Sequence, residues 1–168
     1  MKLRWWYGIA ANMILAALVI SGAAFYTVHL RNKPQEGFLE IRNADSGKVY
    51  GKWSLKEDDE FAVEFIHSVH QSPVRETFTV KDNTIQPVTV RFFSFGAGMQ
   101  SDLEEGQVLS RDGDALLITG YNSSFAVLNY IVGQVSDHVL LINGDTVSLQ
   151  ELCGKNAHIT LRYYGGKN

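Results

Sequence analysis

Apolar and polar residues alternate with a period of two over much of the chain after residue 36, the pattern of half-buried strands. The pattern is clearest over residues 60–81, EFAVEFIHSVHQSPVRETFTVK. Phe61, Val63, Phe65 and His67 alternate with Ala62, Glu64, Ile66 and Ser68. Val74, Glu76, Phe78 and Val80 then alternate with Arg75, Thr77 and Thr79. Ser72-Pro73 opens the second run, where a missing N–H is tolerated. The two apolar faces have opposite number parity. An antiparallel pairing that keeps both on one side therefore needs an even connection, and it sets His67 opposite Val74 or Glu76. An imidazole and a carboxylate are expected to share the otherwise apolar face of one hairpin.

The same reading gives the neighbouring elements. Phe38–Arg42 and Val49–Leu55 form strands around the turn Asp45-Ser46-Gly47, with Trp53 as a core or rim anchor. Lys56–Glu60 is a charged connection. Asp82-Asn83 turns the chain into a long strand over Thr84–Phe95, with Pro87 at an edge or bulge and a phase shift between Phe92 and Phe93 that implies a bulge or a crossing between sheets. Gly96-Ala97-Gly98 ends it. Ser101-Asp102-Leu103-Glu104 has capping-box spacing and predicts one helical turn, closed by Gly106. Val108–Ser110 and Ala115–Tyr121 flank Asp112-Gly113; His138–Ile142 and Asp145–Leu149 flank Asn143-Gly144; both are two-residue hairpin signals. Phe125–Val132 reads as a buried strand or a short helix, with strand favoured. His158–Tyr164 alternates as a last strand. Eight to ten short strands and almost no helical periodicity predict an all-β antiparallel sandwich or barrel.

The first 33 residues break this pattern. Trp5–Leu30 contains no Asp, Glu, Lys or Arg, and it exceeds the roughly 20 residues needed to cross a hydrocarbon core. Aromatic residues stand at both ends, Trp5, Trp6 and Tyr7 and then Phe25 and Tyr26. The expectation is a membrane anchor in residues 1–33, with a helix over about 5–30, followed by an extracytoplasmic domain over 34–168. Lys2, Arg4 and the terminal amine favour a cytoplasmic N-terminus, while Arg31 and Lys33 oppose it. The competing reading is a cleaved signal peptide, for which Ser21-Gly22-Ala23 offers small residues at suitable spacing. Small residues along the segment, Gly8 and Ala10 through Ala23, permit close packing with a membrane partner or simply fill a single span.

Charge sharpens the division. Residues 1–33 carry four basic side chains and no acidic one; the rest of the 168 residues carries 11 of the 15 basic side chains and all 18 acidic ones, a balance of −7. An acidic domain without a basic, aromatic-lined face is a poor nucleic-acid binder. The single cysteine, Cys153, excludes an internal disulfide and reads as a small buried hydrophobe.

Three chemistries compete around the central hairpin. His67, His70, Glu76 and His138 are metal-ligand types, but no compact ligand spacing supports a metal, and no cofactor is expected. A Ser68–His67–Glu76 hydrolytic set is weaker, because adjacent strand residues point to opposite faces and no G-x-S-x-G elbow exists. The plainest reading is that Glu76 accepts a hydrogen bond from His67 and both are structural. Gly96-Ala97-Gly98 either presents backbone N–H groups as an anion nest or ends a strand. Together, His67, Ser68, Glu76, Gly96, Ala97, Gly98 and His138 make a candidate binding patch for a carboxylate or a protein loop.

Ile66-His67-Ser68-Val69, Ser72-Pro73-Val74, Glu76 and Ser94-Phe95-Gly96-Ala97-Gly98-Met99 resemble a bacterial family catalogued as domain of unknown function 1850. The resemblance runs over about residues 37–165 and takes in His67, Ser68 and Glu76; His70 departs from the family pattern. It implies a small exported protein, held by an N-terminal membrane segment and associated with TRAP (tripartite ATP-independent periplasmic) transporters of the TAXI solute-receptor type. The expected partners are the membrane and a transporter subunit or solute receptor, and the patch of His67, Glu76 and Gly96 to Gly98 is expected to serve recognition rather than catalysis because no nucleophile, base and orienting group converge at plausible spacing. A small exported ligand- or metal-binding domain is the alternative, and a hydrolase using His67 and Glu76 a more distant one.

Overall fold

A computed structural model describes residues 36–68, 71–93 and 102–166. The expected anchor over residues 5–30, His70 and the Gly96–Gly98 tripeptide lie outside the described residues. The rest is an all-β domain of two antiparallel sheets with one short helix. In chain order the elements are β1 (Glu36–Asn43), β2 (Val49–Lys56), β3 (Glu60–Ile66), β4 (Pro73–Lys81), β5 (Thr84–Phe92), β6 (Val108–Asp112), β7 (Ala115–Thr119), β8 (Leu128–Ile131), β9 (His138–Ile142), β10 (Asp145–Ser148), α1 (Leu149–Cys153) and β11 (His158–Tyr164). A four-stranded sheet has the order β2-β1-β11-β8, and a seven-stranded sheet the order β10-β9-β3-β4-β5-β7-β6. Among the described residues the strands number eleven, one more than the upper end of the sequence expectation.

Turn chemistry sets most of these boundaries. Asn143 and Gly144 (φ 54° and 83°) close β9 onto β10, and Asp82 and Asn83 (φ 50° and 59°) close β4 onto β5. Positive φ at both central residues is the mark of a turn whose twist matches a hairpin. The β6–β7 turn sits one residue later than expected: Asp112 pairs with Ala115, so Gly113 and Asp114 form the turn. Ser94 and Phe95, on which the expected phase shift after Phe92 depends, lie outside the described residues, but β5 does carry a bulge. The register slips between Thr77 and Phe78, which face Thr89 and Pro87, leaving Val88 as the extra residue. Proline cannot donate to a ladder, so the bulge falls beside it. β5 ends at the buried Phe92, and Phe93 is exposed.

The helix is a second correction. Residues 102–107 hold no helix; Glu104 and Gln107 bond each other across a turn at Glu105-Gly106. The helix forms instead at Leu149–Cys153, where β10 stops at Ser148. Ser148 caps it by accepting the Glu151 N–H at 3.0 Å. Leu149 is fully buried beneath it.

Inward-facing residues of both sheets build one main core, including Leu39, Ile41, Leu55, Val63, Phe78, Val80, Ile85, Leu140, Ile159, Leu161 and Tyr163. Trp53 is half-buried against it. A smaller cluster of Val74, Phe92 and Ile118, flanked by Phe65, Val90, Leu116 and Tyr121, belongs to the β3–β4–β5–β7 side alone. No described residue of the four-stranded sheet joins it. The larger sheet therefore extends an apolar inner face past the edge of the smaller one, and the candidate site lies there.

Candidate functional site

Cross-strand partners share a sheet face. The ladders therefore place Leu140, Val63, Glu76, Val90 and Ile118 in one row across β9, β3, β4, β5 and β7. Glu76 is the one charged member of that row. Its neighbours two residues away along β4, Val74 and Phe78, are buried apolar residues. The pleat that makes β4 a core strand thus delivers a carboxylate into the apolar inner face.

The partner of Glu76 comes from the other sheet. Tyr130 on β8 pairs with the buried Ile159 and so faces inward; its hydroxyl donates to Glu76 Oε2 at 2.5 Å. Burial pushes the Glu76 carboxyl above the usual carboxylate range, and the Tyr130 bond pulls it partly back. Burial and the adjacent Glu76 carboxylate push the Tyr130 phenol well above its ordinary value. Tyr121, on the same wall, is raised to about 12, first by burial and then by Glu76 and Glu104.

The imidazole that the fold brings into this neighbourhood is His138, the first residue of β9. It pairs with Phe65 of β3, and the two rings stack at 4.9 Å with an interplanar angle of 16°. The Tyr130 ring meets it edge-on at 6.2 Å. The Gly133 N–H donates to His138 Nδ1 at 3.0 Å, so the neutral ring carries its proton on Nε2. Burial holds the His138 pKa below its ordinary value, against the opposing field of Asp137. The 133–138 loop is itself fixed by α1: the Gln150 side chain donates to Gly133 O at 2.9 Å, and the Gln150 N–H to Asp137 Oδ1 at 2.8 Å. A Cβ at Gly133 would come within 2.1 Å of Ser136 O, so only glycine fits that turn.

The register corrects the expected pairing of His67. Phe65 faces Val74, Val63 faces Glu76, and the ladder ends at Ile66 with Pro73. The connection over residues 67–72 is even, as parity requires, but longer than the pairing of His67 with Val74 or Glu76 assumed. The His67 N–H bonds Ser72 O instead and closes a loop rather than a ladder rung. Pro73, which cannot donate to the ladder, marks the point where pairing begins. His67 and Ser68 nonetheless line the same cavity as Glu76 and His138. Of the seven sequence candidates the fold thus gathers His67, Ser68, Glu76 and His138; Gly96, Ala97 and Gly98 lie outside the described residues. Tyr130, Tyr121 and Gln150 were not singled out from the sequence. Tyr130 carried a weak signal, a hydroxyl inside the apolar run Phe125–Val132.

The cavity measures about 720 Å³, within the usual range of small-ligand sites. Phe65, Val74, Val90 and Ile118 give it apolar walls, and the 133–138 loop forms its rim. A second cavity of about 390 Å³ shares Glu76, Val90 and Tyr121 and adds Tyr130, Phe125 and Glu104. Among the described residues no lysine or arginine lines either one. Among the described residues no group of three or more His, Cys, Asp or Glu side chains is placed to hold a metal ion.

Residues 61–149, more than half of the chain, match the family described as domain of unknown function (DUF1850). The chain belongs to the DUF1850 family. No curated protein and no solved structure matches it. The match begins at Phe61 in β3 and ends at Leu149, the first residue of α1. It is narrower than the span expected from the sequence, and it leaves out β1, β2 and β11. Every DUF1850 side chain placed around the Glu76 cavity above, from Phe65 to His138, falls inside it.

Proposed function

We propose that this DUF1850 protein is a recognition module: an extracytoplasmic domain, held to the membrane by residues 5–30, that assists a TRAP-type solute transporter of the TAXI kind. The observation that carries the reading is the Glu76 carboxylate, placed on the wall of an apolar cavity and hydrogen-bonded, among the described residues, to Tyr130 alone. A half-buried carboxylate on an apolar wall with so little compensation weakens the fold, so it is explained by a use. The use favoured is binding. The His138 Nδ1 is engaged as an acceptor, which leaves the neutral ring a hydrogen-bond donor rather than a free base. The transporter link rests on the family resemblance, and the export and anchoring rest on the apolar run with its aromatic ends. A tether of this kind strengthens even a weak contact with a membrane partner by raising its effective concentration.

The test replaces His67 and Glu76 singly with alanine in the full chain, confirms folding by circular dichroism, and measures solute uptake and co-purification with the transporter. Loss of either in a folded variant is the expected result. Folded variants that keep both would make the site structural, and His67-dependent turnover of an ester, peptide or phosphate would make it catalytic.

A further inference from the structure

The domain fully buries one carboxylate, Glu40, half-buries another, Glu76, and treats them in opposite ways. Glu40 lies on the outer face of the four-stranded sheet and is buried. It is paired with Arg42 and, at 3.1 Å, with Lys52. The hydrogen bond from Arg42 holds its carboxyl below the usual range against the cost of burial. That is how this chain satisfies a carboxylate that serves its fold. Glu76 receives no cation from the described residues; Tyr130 occupies Oε2, and Oε1 has no hydrogen-bond partner among them. The carboxylate of Glu104, the other acid of the cavity pair, accepts among the described residues from the neutral Gln107 side chain.

The remaining walls have the chemistry that cations prefer. Phe65 lines the larger cavity, Phe125 and Tyr130 the smaller, and Tyr121 and Glu76 both. The electron-rich face of an aromatic ring attracts an ammonium group, most strongly where water is excluded. An anionic solute would meet the opposite: two carboxylates, and no lysine or arginine among the described lining residues.

We infer that the Glu76 cavity binds a small organic cation, an alkylammonium solute whose charge pairs with the free edge of the Glu76 carboxylate and whose apolar stem lies among Phe65, Val90 and Tyr121. This rests on the recognition reading above and names its ligand class. Neutral Glu76 gains nothing from a cation, so affinity rises with pH as the carboxyl ionises. A carboxylate raised by burial places that rise above the usual carboxylate range.

The test is isothermal titration calorimetry on the full chain in detergent micelles with n-butylammonium, n-butanol and butyrate. The expected result is binding of n-butylammonium well above that of n-butanol, and no binding of butyrate. Glu76→Gln should weaken the cation by about tenfold or more, the usual worth of a charged hydrogen bond. Glu104→Gln, at an exposed residue that does not threaten folding, should weaken it less. Binding of butyrate or n-butanol as tight as that of n-butylammonium would overturn the cation assignment and leave the recognition reading standing. Tighter binding of a blocked glycyl-lysyl-glycine peptide than of n-butylammonium would overturn the free solute in favour of a protein lysine. No binding of any probe to the wild-type chain would overturn the inference outright, while co-purification with the transporter would still report on the recognition reading independently.

Discussion

Glu76 occupies a position that the β4 pleat assigns to the core, with Val63 and Val90 on either side. Its folded-state carboxyl is raised above the unfolded value, so the folded domain holds that proton more tightly than the unfolded chain. Its contribution to stability is therefore fully present below the usual carboxylate range and is lost as pH rises through the raised value. Glu76→Gln, which carries no charge, should match the wild type in acid and become the more stable of the two toward neutral pH, as measured by urea denaturation across a pH series. His138 acts in the other direction: its lowered pKa makes stability fall as pH drops through the ordinary imidazole range. Cys153 is half-buried against the core, and burial raises its thiol to about 11. Alkylation by iodoacetamide should be slow at neutral pH and accelerate steeply only as pH approaches that value, because the thiolate is the nucleophile. Fast alkylation at neutral pH would show that the thiol is not withdrawn from solvent.

At the scale of elements, two stretches share capping-box spacing, and among the described residues the second forms a capped helix while 102–107 form none. Ser101-x-x-Glu104 and Ser148-x-x-Glu151 have the same spacing. The second gains a tertiary partner, since the Gln150 N–H at the helix start meets the Asp137 carboxylate and Leu149 drops into the core. The first is followed two residues later by Gly106 (φ 89°), which turns the chain before a helix can propagate. Ser148→Ala should cost about 1 kcal/mol by the loss of its cap, read as a lower denaturation midpoint with unchanged slope. That contrast marks what local pattern conveys. Hairpins closed by Asp82-Asn83 and Asn143-Gly144 were legible because their turns are local, and His158–Tyr164 because its alternation is strict. The His67 register was not, because parity fixes which face a residue takes but not how many residues the connection consumes. The Glu76–Tyr130 bond was not, because it joins residues 54 apart on different sheets. His138 could be named as a candidate from the sequence, but its role depends on Gly133 and Gln150, which place no mark on the hydrophobic pattern.

The whole molecule follows from a mismatch between sheets of seven and four strands. The main core takes in residues of β3, β4, β9 and the start of β5, and Val74, Phe92 and Ile118 form a second, smaller apolar cluster that no described residue of the smaller sheet joins. A cavity at that margin is a consequence of the topology, and Glu76 is what distinguishes it from a packing defect. On this account the Glu76–Tyr130 pair serves binding at the expense of stability. Replacing both partners by apolar groups, Glu76→Leu with Tyr130→Phe, removes the half-buried carboxylate and leaves no orphaned hydroxyl, a change that is commonly neutral or stabilising. The decisive measurement is the thermal unfolding midpoint of this double variant near neutral pH, taken together with its co-purification with the proposed transporter partner. The account predicts a midpoint equal to or above that of the wild type, with co-purification lost; a midpoint well below the wild type, with co-purification retained, would show that the pair is a structural tie between the sheets and not a recognition site.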